Sequence, residues 1–151
     1  MSLISEIKDL SKLPDVLERY EKEISHAQEI INLKGKNLEA ANKENAAWLL
    51  YYDQKRIELD TLRKYFRMKL DETKSSLFKA FTENYPREMS DRAKDKYIDG
   101  HPKYLSALEL CYEIEEVYEK FDSVVISLRQ QGYSLRNITE LRTHSLEDVI
   151  L

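Results

Sequence analysis

The residues of this chain best suited to chemistry are cations that recur at helical spacing. Taken at about 100° per residue, four of them fall within about 20° of a common direction, beside an apolar face: Arg56, Arg63, Arg67 and Lys74. The line is about 27 Å long. Single-stranded nucleic acid binds where cations follow phosphates and aromatic rings accept bases. The predicted contacts are Arg63, Arg67, Lys74, Lys79, Arg87, Arg92 and Lys94, with Tyr65, Tyr85 and Tyr97 as candidate stacking groups.

A second interpretation of the same cations needs no ligand. Arg and Lys side chains that flank an apolar stripe commonly extend along it and keep the helix soluble. The charge balance leaves both interpretations open. The chain carries a net charge of −4, yet residues 54–79 hold eight basic and four acidic residues, and residues 105–122 hold six acidic residues and one lysine. One stretch could face a polyanion and the other could not; if copies of the chain assemble, the acidic helix is expected to lie away from the repeated basic face.

Patterns typical of catalysis or of metal binding are missing from the sequence. Glu23 and His26 have the spacing found in carboxylate-bridged di-iron bundles, but such a site needs a second pair, which the chain lacks. No glycine-rich phosphate-binding loop occurs, and no serine or cysteine lies in a nucleophile-elbow context. The sequence therefore predicts a protein that is not an enzyme, with no catalytic residue, metal site or cofactor.

The cellular compartment is predicted from cysteine usage and apolar runs. Cys111 is the single cysteine, so no disulfide framework is expected, and its apolar neighbours favour a buried thiol. No apolar run approaches the roughly 18 residues of a membrane span. The first residues lack the pattern of a signal peptide. We therefore expect a cytoplasmic protein with no membrane partner.

The composition predicts an all-α fold. With three Gly, three Pro and 34% charged residues, the chain has little turn material and much helix-forming material. We expect a single helical domain with an N-terminal region (1–45), a basic helix and loop (46–101) and an oligomerisation region (102–151). The long helices are expected to form an antiparallel bundle or coiled-coil arrangement.

Local signals place the individual helices. A short helix is predicted before Pro14, followed by a seam from Leu17 to Ala41 that tolerates Gly35 with a kink. A second long helix should run from about Lys43 to Phe81. Ser90 and Asp91 can cap a short helix, and Pro102 can open the last long one.

The C-terminal helix carries the cleanest apolar spacing in the chain. Its seam repeats at intervals of four and three residues: Leu110, Ile114, Val117, Phe121, Val124 and Leu128. Gly132 fits the left-handed position that ends a helix. The residues after it are expected to form a short amphipathic helix on Leu135, Ile138 and Leu141.

The second half of the chain resembles the phage UvsY recombination-mediator family. The similar segments are "MSDRAKDKYIDGHP" (89–102) and residues 103–142, within a resemblance that covers about half the chain, from near Lys74 to Arg142. They share an aromatic-rich helix with a cysteine, a basic-plus-glycine step, an aromatic residue and a short I-x-x-[LM]-R segment. The matching positions are Arg129, Gly132, Tyr133, Ile138, Leu141 and Arg142.

This resemblance implies a small all-helical protein without enzymatic activity. Such proteins form ring-like homo-oligomers, bind single-stranded DNA and help to load a RecA-like recombinase onto DNA covered by a single-strand-binding protein; for this chain the compartment would be an infected bacterial host cell. A Lys-Ala-Arg element of the family contributes to DNA binding. Lys79-Ala80-Phe81 matches it except that Phe81 replaces the arginine, which Arg87 or the line ending at Lys74 would have to compensate.

Assembly is predicted through the C-terminal region, with one alternative left open. The expected oligomerisation residues are Val117, Tyr118, Phe121, Val124, Leu128, Tyr133, Leu135, Ile138 and Leu141. The short terminal helix would pack on a neighbouring copy, or it would fold back on its own helix. The alternative function is a helical scaffold or adaptor that binds only protein partners.

Overall fold

The regular elements of the described chain are all helical. The computed structural model describes residues 10–85 and 87–144. A 3-10 turn at Leu10–Lys12 precedes four α-helices: α1 (Leu13–Ile30), α2 (Leu38–Asn84), α3 (Asp91–Asp99) and α4 (Pro102–Thr143). The all-α fold class is confirmed. The predicted short helix before Pro14 falls mostly outside the described residues. Within the described ranges, no helix combines the length and the apolar character needed to span a membrane.

The helices begin where local side-chain chemistry favours a start. Pro14 lies in the first turn of α1 and Pro102 in the first turn of α4, where a missing amide hydrogen costs nothing. Asn37 caps α2, its Oδ1 accepting a 2.8 Å hydrogen bond from the amide three residues on. Ser90 caps α3 in the same way. The predicted starts at Ser90 and Pro102 are therefore confirmed, and α2 begins five residues earlier than predicted.

The chain reverses direction between α1 and α2. Gly35 has a φ of +80°, in the left-handed region that glycine tolerates best, and Asn37 then starts a new helix. The prediction of one seam that continues from Leu17 to Ala41 is therefore wrong. The apolar spacing does persist across the turn, but it serves two different helices.

The long helices form an antiparallel arrangement, as predicted. The Tyr20 hydroxyl of α1 donates to Glu58 of α2 at 2.9 Å, and further along α1 Glu23 accepts from Tyr51 at 2.9 Å. Residue numbers rise on one helix as they fall on the other, so α1 and α2 are antiparallel. Contacts between α2 and α4 follow the same rule, from Asn45–Leu128 to Arg63–Glu115.

Buried apolar side chains are distributed unevenly along the bundle. Where α1, α2 and α4 meet, the fully enclosed side chains include Leu13, Val16, Tyr52, Leu59, Leu62, Ile114, Phe121 and Leu128. Beyond Phe66 in α2 and before Ile114 in α4, Ile98 of α3 is the one buried apolar side chain among the described residues. We call this part the distal arm (residues 67–113). It consists of the C-terminal part of α2 and the N-terminal part of α4, with α3 packed on them.

Aromatic rings fill the space between α1 and the rest of the core. Phe121 lies at the centre, with its ring centroid 5.5 Å from that of Tyr20 and 6.0 Å from that of Tyr52. Trp48 and Tyr51 extend this cluster along α2, with centroids 5.8 Å apart. Large rings let α1 contribute to the core without close approach of its backbone to α2.

High pH is expected to weaken the fold through Tyr52. Its side chain has 0% exposure, and its hydroxyl donates to the carbonyl of Glu23 at 3.2 Å. Burial, and then the charge of Glu23, raise the pKa of Tyr52 to about 12, against about 10 for an unfolded tyrosine. The folded state holds this proton more tightly. The resulting stability is complete below about pH 10 and is lost as the pH rises towards 12.

The measurement compares urea unfolding of the parent protein and of Tyr52→Phe from about pH 8 to about pH 11.5. Lysines also lose their charge over this pH range in both proteins. The test is therefore the difference between the two proteins in how much free energy of unfolding they lose. The parent should lose more free energy of unfolding than the variant. An equal loss would contradict a titrating role for Tyr52.

The predicted helix end at Gly132 is wrong. Helix α4 continues through Gly132 to Thr143, so the expected separate C-terminal helix is the last three turns of α4. Gly132 serves close packing instead, because a Cβ atom there would lie 2.9 Å from Oδ1 of Asn45. The amide of Asn45 donates to the Leu128 carbonyl and to Gln131, both at 2.9 Å, and Gln131 donates to the carbonyl of Ile31 at 2.6 Å. A glycine thus lets α2 and α4 meet around a polar side chain.

Candidate nucleic-acid interface

Two of the predicted contacts, Arg63 and Arg67, pair with acidic residues inside the protein. Arg63 of α2 reaches Glu115 of α4 at 2.7 Å and Asp60 at 2.7 Å, and its guanidinium group lies 3.9 Å from the ring centroid of Tyr118. Arg67 reaches the other oxygen of Glu115 at 3.0 Å. The Arg63 side chain is 21% exposed and that of Arg67 59%. The close, partly buried pair of Arg63 and Glu115 is therefore better suited to joining helices than to exchanging partners.

Ion pairs also occur further along the contact between α2 and α4, where those that cross between the two helices are longer. Arg56 pairs with Asp53 at 2.8 Å and lies 3.7 Å from Asp122, and Arg129 lies 3.7 Å from the same Asp53. We call this set the charge ladder: Asp53, Arg56, Asp60, Arg63, Arg67, Glu115, Asp122 and Arg129. Hydrogen bonds, first from Lys64 and then from Arg63, lower the pKa of Asp60 although burial opposes them.

The charge ladder corrects the expectation that the acidic helix lies away from the basic one. The acidic stretch 105–122 lies against the basic stretch 54–79 in the described part of the chain, and each neutralises the other. The basic line of Arg56, Arg63 and Arg67 is therefore directed at α4. Sequence spacing placed these arginines on one face correctly but did not identify what that face contacts.

The other predicted contacts gather on the distal arm, where their pairs are longer. Lys74 lies 3.9 Å from Asp95 of α3, and Lys79 lies 3.8 Å from Glu83 with a side chain that is 76% exposed. Arg87 and Arg92 are exposed. Lys94 differs from them: its ammonium group lies 4.9 Å from the Phe78 ring centroid and 3.3 Å from Asp91, with only 11% of the side chain exposed.

Aromatic side chains surround Phe81 at the end of α2. The ring of Phe81 lies 6.5 Å from Tyr85, 6.0 Å from Tyr97 and 6.4 Å from His101. We call these four residues the aromatic tip. Tyr85 and Tyr97 are 46% and 56% exposed, so each offers ring surface to a ligand. Both were predicted as stacking groups, whereas Phe81 and His101 were not; the four-residue spacing of Phe81 and Tyr85 was the available signal.

Tyr65, the third candidate stacking group, lies away from the aromatic tip. Its ring packs edge-on against Phe66, with centroids 5.5 Å apart, and the Lys69 ammonium group lies 5.6 Å from its centroid. These contacts hold the ring along α2 itself. Tyr65 is half-buried, and it presents less surface for a base than Tyr85 or Tyr97.

The remaining candidates for chemistry are engaged in packing. Glu23 accepts a hydrogen bond from Tyr51, while the His26 ring packs edge-on against Trp48 at 5.8 Å. Across the described ranges, no group of three or more His, Cys, Asp or Glu side chains is arranged to hold a metal ion. Cys111 is half-buried, and burial raises the pKa of its thiol, which favours the protonated form.

The predicted oligomerisation residues divide into buried and exposed sets. The chain's own core contains Val117, Phe121, Val124, Leu128 and Leu135. Tyr118 is half-buried beneath Arg63. An interface between copies would have to use the exposed set, which is Tyr133, Ile138 and Leu141 at 58%, 40% and 45% exposure. A role for these three in joining copies stays a prediction.

Comparison of the chain with protein-family models finds no match, and searches of curated proteins and of solved structures find none either. The resemblance to the UvsY family therefore stays a prediction.

Proposed function

We propose that this protein binds single-stranded DNA without enzymatic activity and acts as a recombination mediator. The supporting observation is the meeting of loosely paired cations and exposed aromatic rings on the distal arm. Lys74, Lys79, Arg87 and Arg92 supply positive charge, and Tyr85 and Tyr97 supply stacking surface. Proteins that bind single strands without sequence preference combine these two features.

The lengths of the ion pairs favour ligand exchange on the distal arm. Lys74 and Lys79 lie 3.9 and 3.8 Å from their carboxylates, against 2.7 Å for Arg63 and Glu115. An exposed pair at the longer distance contributes about 0–1 kcal/mol, so a phosphate can replace the carboxylate at little cost. Stacking of a base on an exposed ring adds about 1–3 kcal/mol.

The mediator role and its partners rest on the family resemblance. In this proposal, copies of the chain form a ring-like homo-oligomer in the cytoplasm of the infected host. The strand contacts several copies, so sites that are individually weak bind it together. The bound strand is then passed from a single-strand-binding protein to a RecA-like recombinase.

Replacing both Lys74 and Lys79 by alanine should weaken DNA binding and reduce its salt dependence. Each phosphate contact that is lost removes about 0.7 from the slope of log affinity against log salt for single strands, so the pair should remove about 1.4. The measurement is fluorescence anisotropy of a labelled oligothymidine about 20 nucleotides long at several salt concentrations.

The matched control replaces Lys22 and Lys64, which are 73% exposed and lie elsewhere on the helices. It removes the same charge and should leave most of the slope intact. If both double variants reduce the slope equally, the distal arm is not the contact surface. If the parent protein binds no oligonucleotide at low salt, the proposed function is wrong.

A second candidate function, a scaffold that binds only proteins, has its own supporting observation. Leu105, Tyr112 and Ile126 of α4 are 42%, 65% and 49% exposed at multiples of seven residues, with the exposed Glu119 at the intervening position. An apolar stripe at that spacing suits a partner helix. Oligomers whose size and stability are independent of oligonucleotide, measured by size-exclusion chromatography with light scattering, would favour the scaffold.

A further inference from the structure

A groove between α2 and α4 lies at the opposite end of the bundle from the aromatic tip. We call it the terminal groove; it has a volume of about 490 Å³ and is lined by Asn42, Asn45, Ala46, Leu49, Arg129, Gly132, Tyr133, Arg136 and Thr139. From Asn45 to Phe81 the rise of α2 is about 54 Å, so the groove and the tip are separate sites.

The lining of the terminal groove is positively charged. Arg129 and Arg136 are among its lining residues, and the described lining contains no acidic side chain. Arg129 lies 3.7 Å from Asp53, a carboxylate that already holds Arg56 at 2.8 Å, and 52% of its side chain is exposed. Arg136 is exposed on the same face. Both guanidinium groups can therefore reach an added anion without breaking a close pair.

The order of side chains along α4 favours a particular anion. Tyr133 lies between the two arginines in the sequence and is 58% exposed. Arg129 and Arg136 are separated by about 10 Å along the helix axis. A cation, an aromatic ring and a second cation along one face match a phosphate, a base and the next phosphate of a nucleic-acid strand. Free inorganic phosphate would use only part of this arrangement.

At the floor of the groove α2 and α4 approach closely because residue 132 is glycine. Its missing side chain leaves the backbone of α4 close to Asn45, whose Oδ1 would lie 2.9 Å from any added Cβ atom. On the α2 wall Asn42 is exposed, and its Nδ2 donates to the Leu38 carbonyl at 3.0 Å, whereas the Nδ2 of buried Asn45 is already shared between Leu128 and Gln131. The Oδ1 of Asn42 can accept a hydrogen bond from the edge of a base.

We propose that the terminal groove is a second binding site for single-stranded nucleic acid, which holds one nucleotide between its two flanking phosphates. This inference rests on the proposed function, because it adds a contact for the same ligand. Arg129 and Arg136 bind the phosphates and Tyr133 stacks on the base, so an interface between copies would use Ile138 and Leu141 without Tyr133. A strand long enough to reach both sites gains affinity from each.

The experiment compares the parent protein with three variants by anisotropy of the labelled oligothymidine. Arg129→Ala/Arg136→Ala should lower the affinity about tenfold or more and reduce the salt slope by about 1.4. Tyr133→Leu should lower the affinity about tenfold with an unchanged slope, because it removes stacking but no charge. The Lys22→Ala/Lys64→Ala control should bind close to the parent. Light scattering on each variant checks that the assembly state is unchanged.

A competition experiment distinguishes binding of a nucleic-acid strand from binding of other polyanions. On the Lys74→Ala/Lys79→Ala protein, where binding to the distal arm is weakened, unlabelled oligothymidine should displace the probe at a far lower concentration than an oligoglutamate peptide of equal charge. Equal displacement would overturn the stacking role of Tyr133 and indicate an acidic-peptide site.

The two proposals fail in different ways. If the Arg129→Ala/Arg136→Ala protein binds like the parent while Lys74→Ala/Lys79→Ala loses affinity, the terminal groove is not a site and the proposed function stands. If only the groove variant loses affinity, the groove is the contact and Lys74 and Lys79 of the distal arm are not. If the parent binds no strand, both proposals are wrong.

Discussion

Replacing Phe121 by alanine is expected to destabilise the protein by about 3–5 kcal/mol. Phe121 has 0% exposure and touches α1 and α2 at once, through the rings of Tyr20 and Tyr52. Removing the ring takes apolar surface out of the core and leaves a cavity that three long helices cannot close easily. Urea unfolding followed by circular dichroism gives the free energy of unfolding for the comparison.

Tyr112→Ala is the matched control for this change. Tyr112 belongs to the same helix but is 65% exposed, so its removal should alter stability by no more than about 0.5 kcal/mol. Both changes replace an aromatic residue of α4. The predicted difference between their losses in free energy of unfolding therefore depends on burial alone. A loss below about 1.5 kcal/mol for Phe121→Ala would mean that the core is not built around this ring.

Replacing Gly132 by alanine is expected to destabilise the protein by about 1–2 kcal/mol. In an ordinary helix interior the same change stabilises by about 0.5–1 kcal/mol, so the expected sign is reversed. The new Cβ would lie 2.9 Å from Oδ1 of Asn45. Asn45 cannot move away without losing its hydrogen bonds to Leu128 and Gln131. The measurement is again the free energy of unfolding in urea.

Two further variants test why Gly132→Ala is expected to lower the free energy of unfolding. Gly100→Ala meets no atom closer than 3.9 Å, so it should be neutral or slightly stabilising. In an Asn45→Ala background the obstacle is gone, and Gly132→Ala should then become neutral or favourable. If Gly132→Ala stabilises the parent protein and the Asn45→Ala protein equally, close packing is not the role of this glycine.

Sequence reasoning succeeded where the determining chemistry is local. The starts at Ser90 and Pro102 follow from caps and from the geometry of proline, which depend on a few neighbouring residues. The apolar spacing from Ile114 to Leu128 identified the buried face of α4 correctly. Helical spacing also placed Arg56, Arg63 and Arg67 on one face of α2.

The continuous seam from Leu17 to Ala41 failed for a local reason, the turn at Gly35, whereas the failures at Gly132 and at the arginines share another origin, which is contact between residues distant in sequence. Gly132 ends no helix because Asn45, far along the chain, occupies the space beside it. Arg63 offers little to a ligand because Glu115 reaches it from another helix. Periodicity gives the direction of a side chain on its own helix, and it carries no information about which charge lies opposite.

The candidate site was predictable in part for the same reason. The residue types of Lys79 and Tyr97 are enough to predict them as contacts. The packing of α3 on α2 then brings both residues to one end of the molecule. The terminal groove could not be predicted, because its walls come from residues 80 or more positions apart.

The thin core of the distal arm has a consequence for how its end behaves. Ile98 is the one enclosed apolar side chain of that arm in the described ranges, so little free energy opposes a local opening there. The part of the bundle where α1, α2 and α4 meet can stay folded while the distal arm bends or opens locally. Lys79 and Tyr97 lie on the part of the molecule that can adapt its shape to an irregular, flexible ligand.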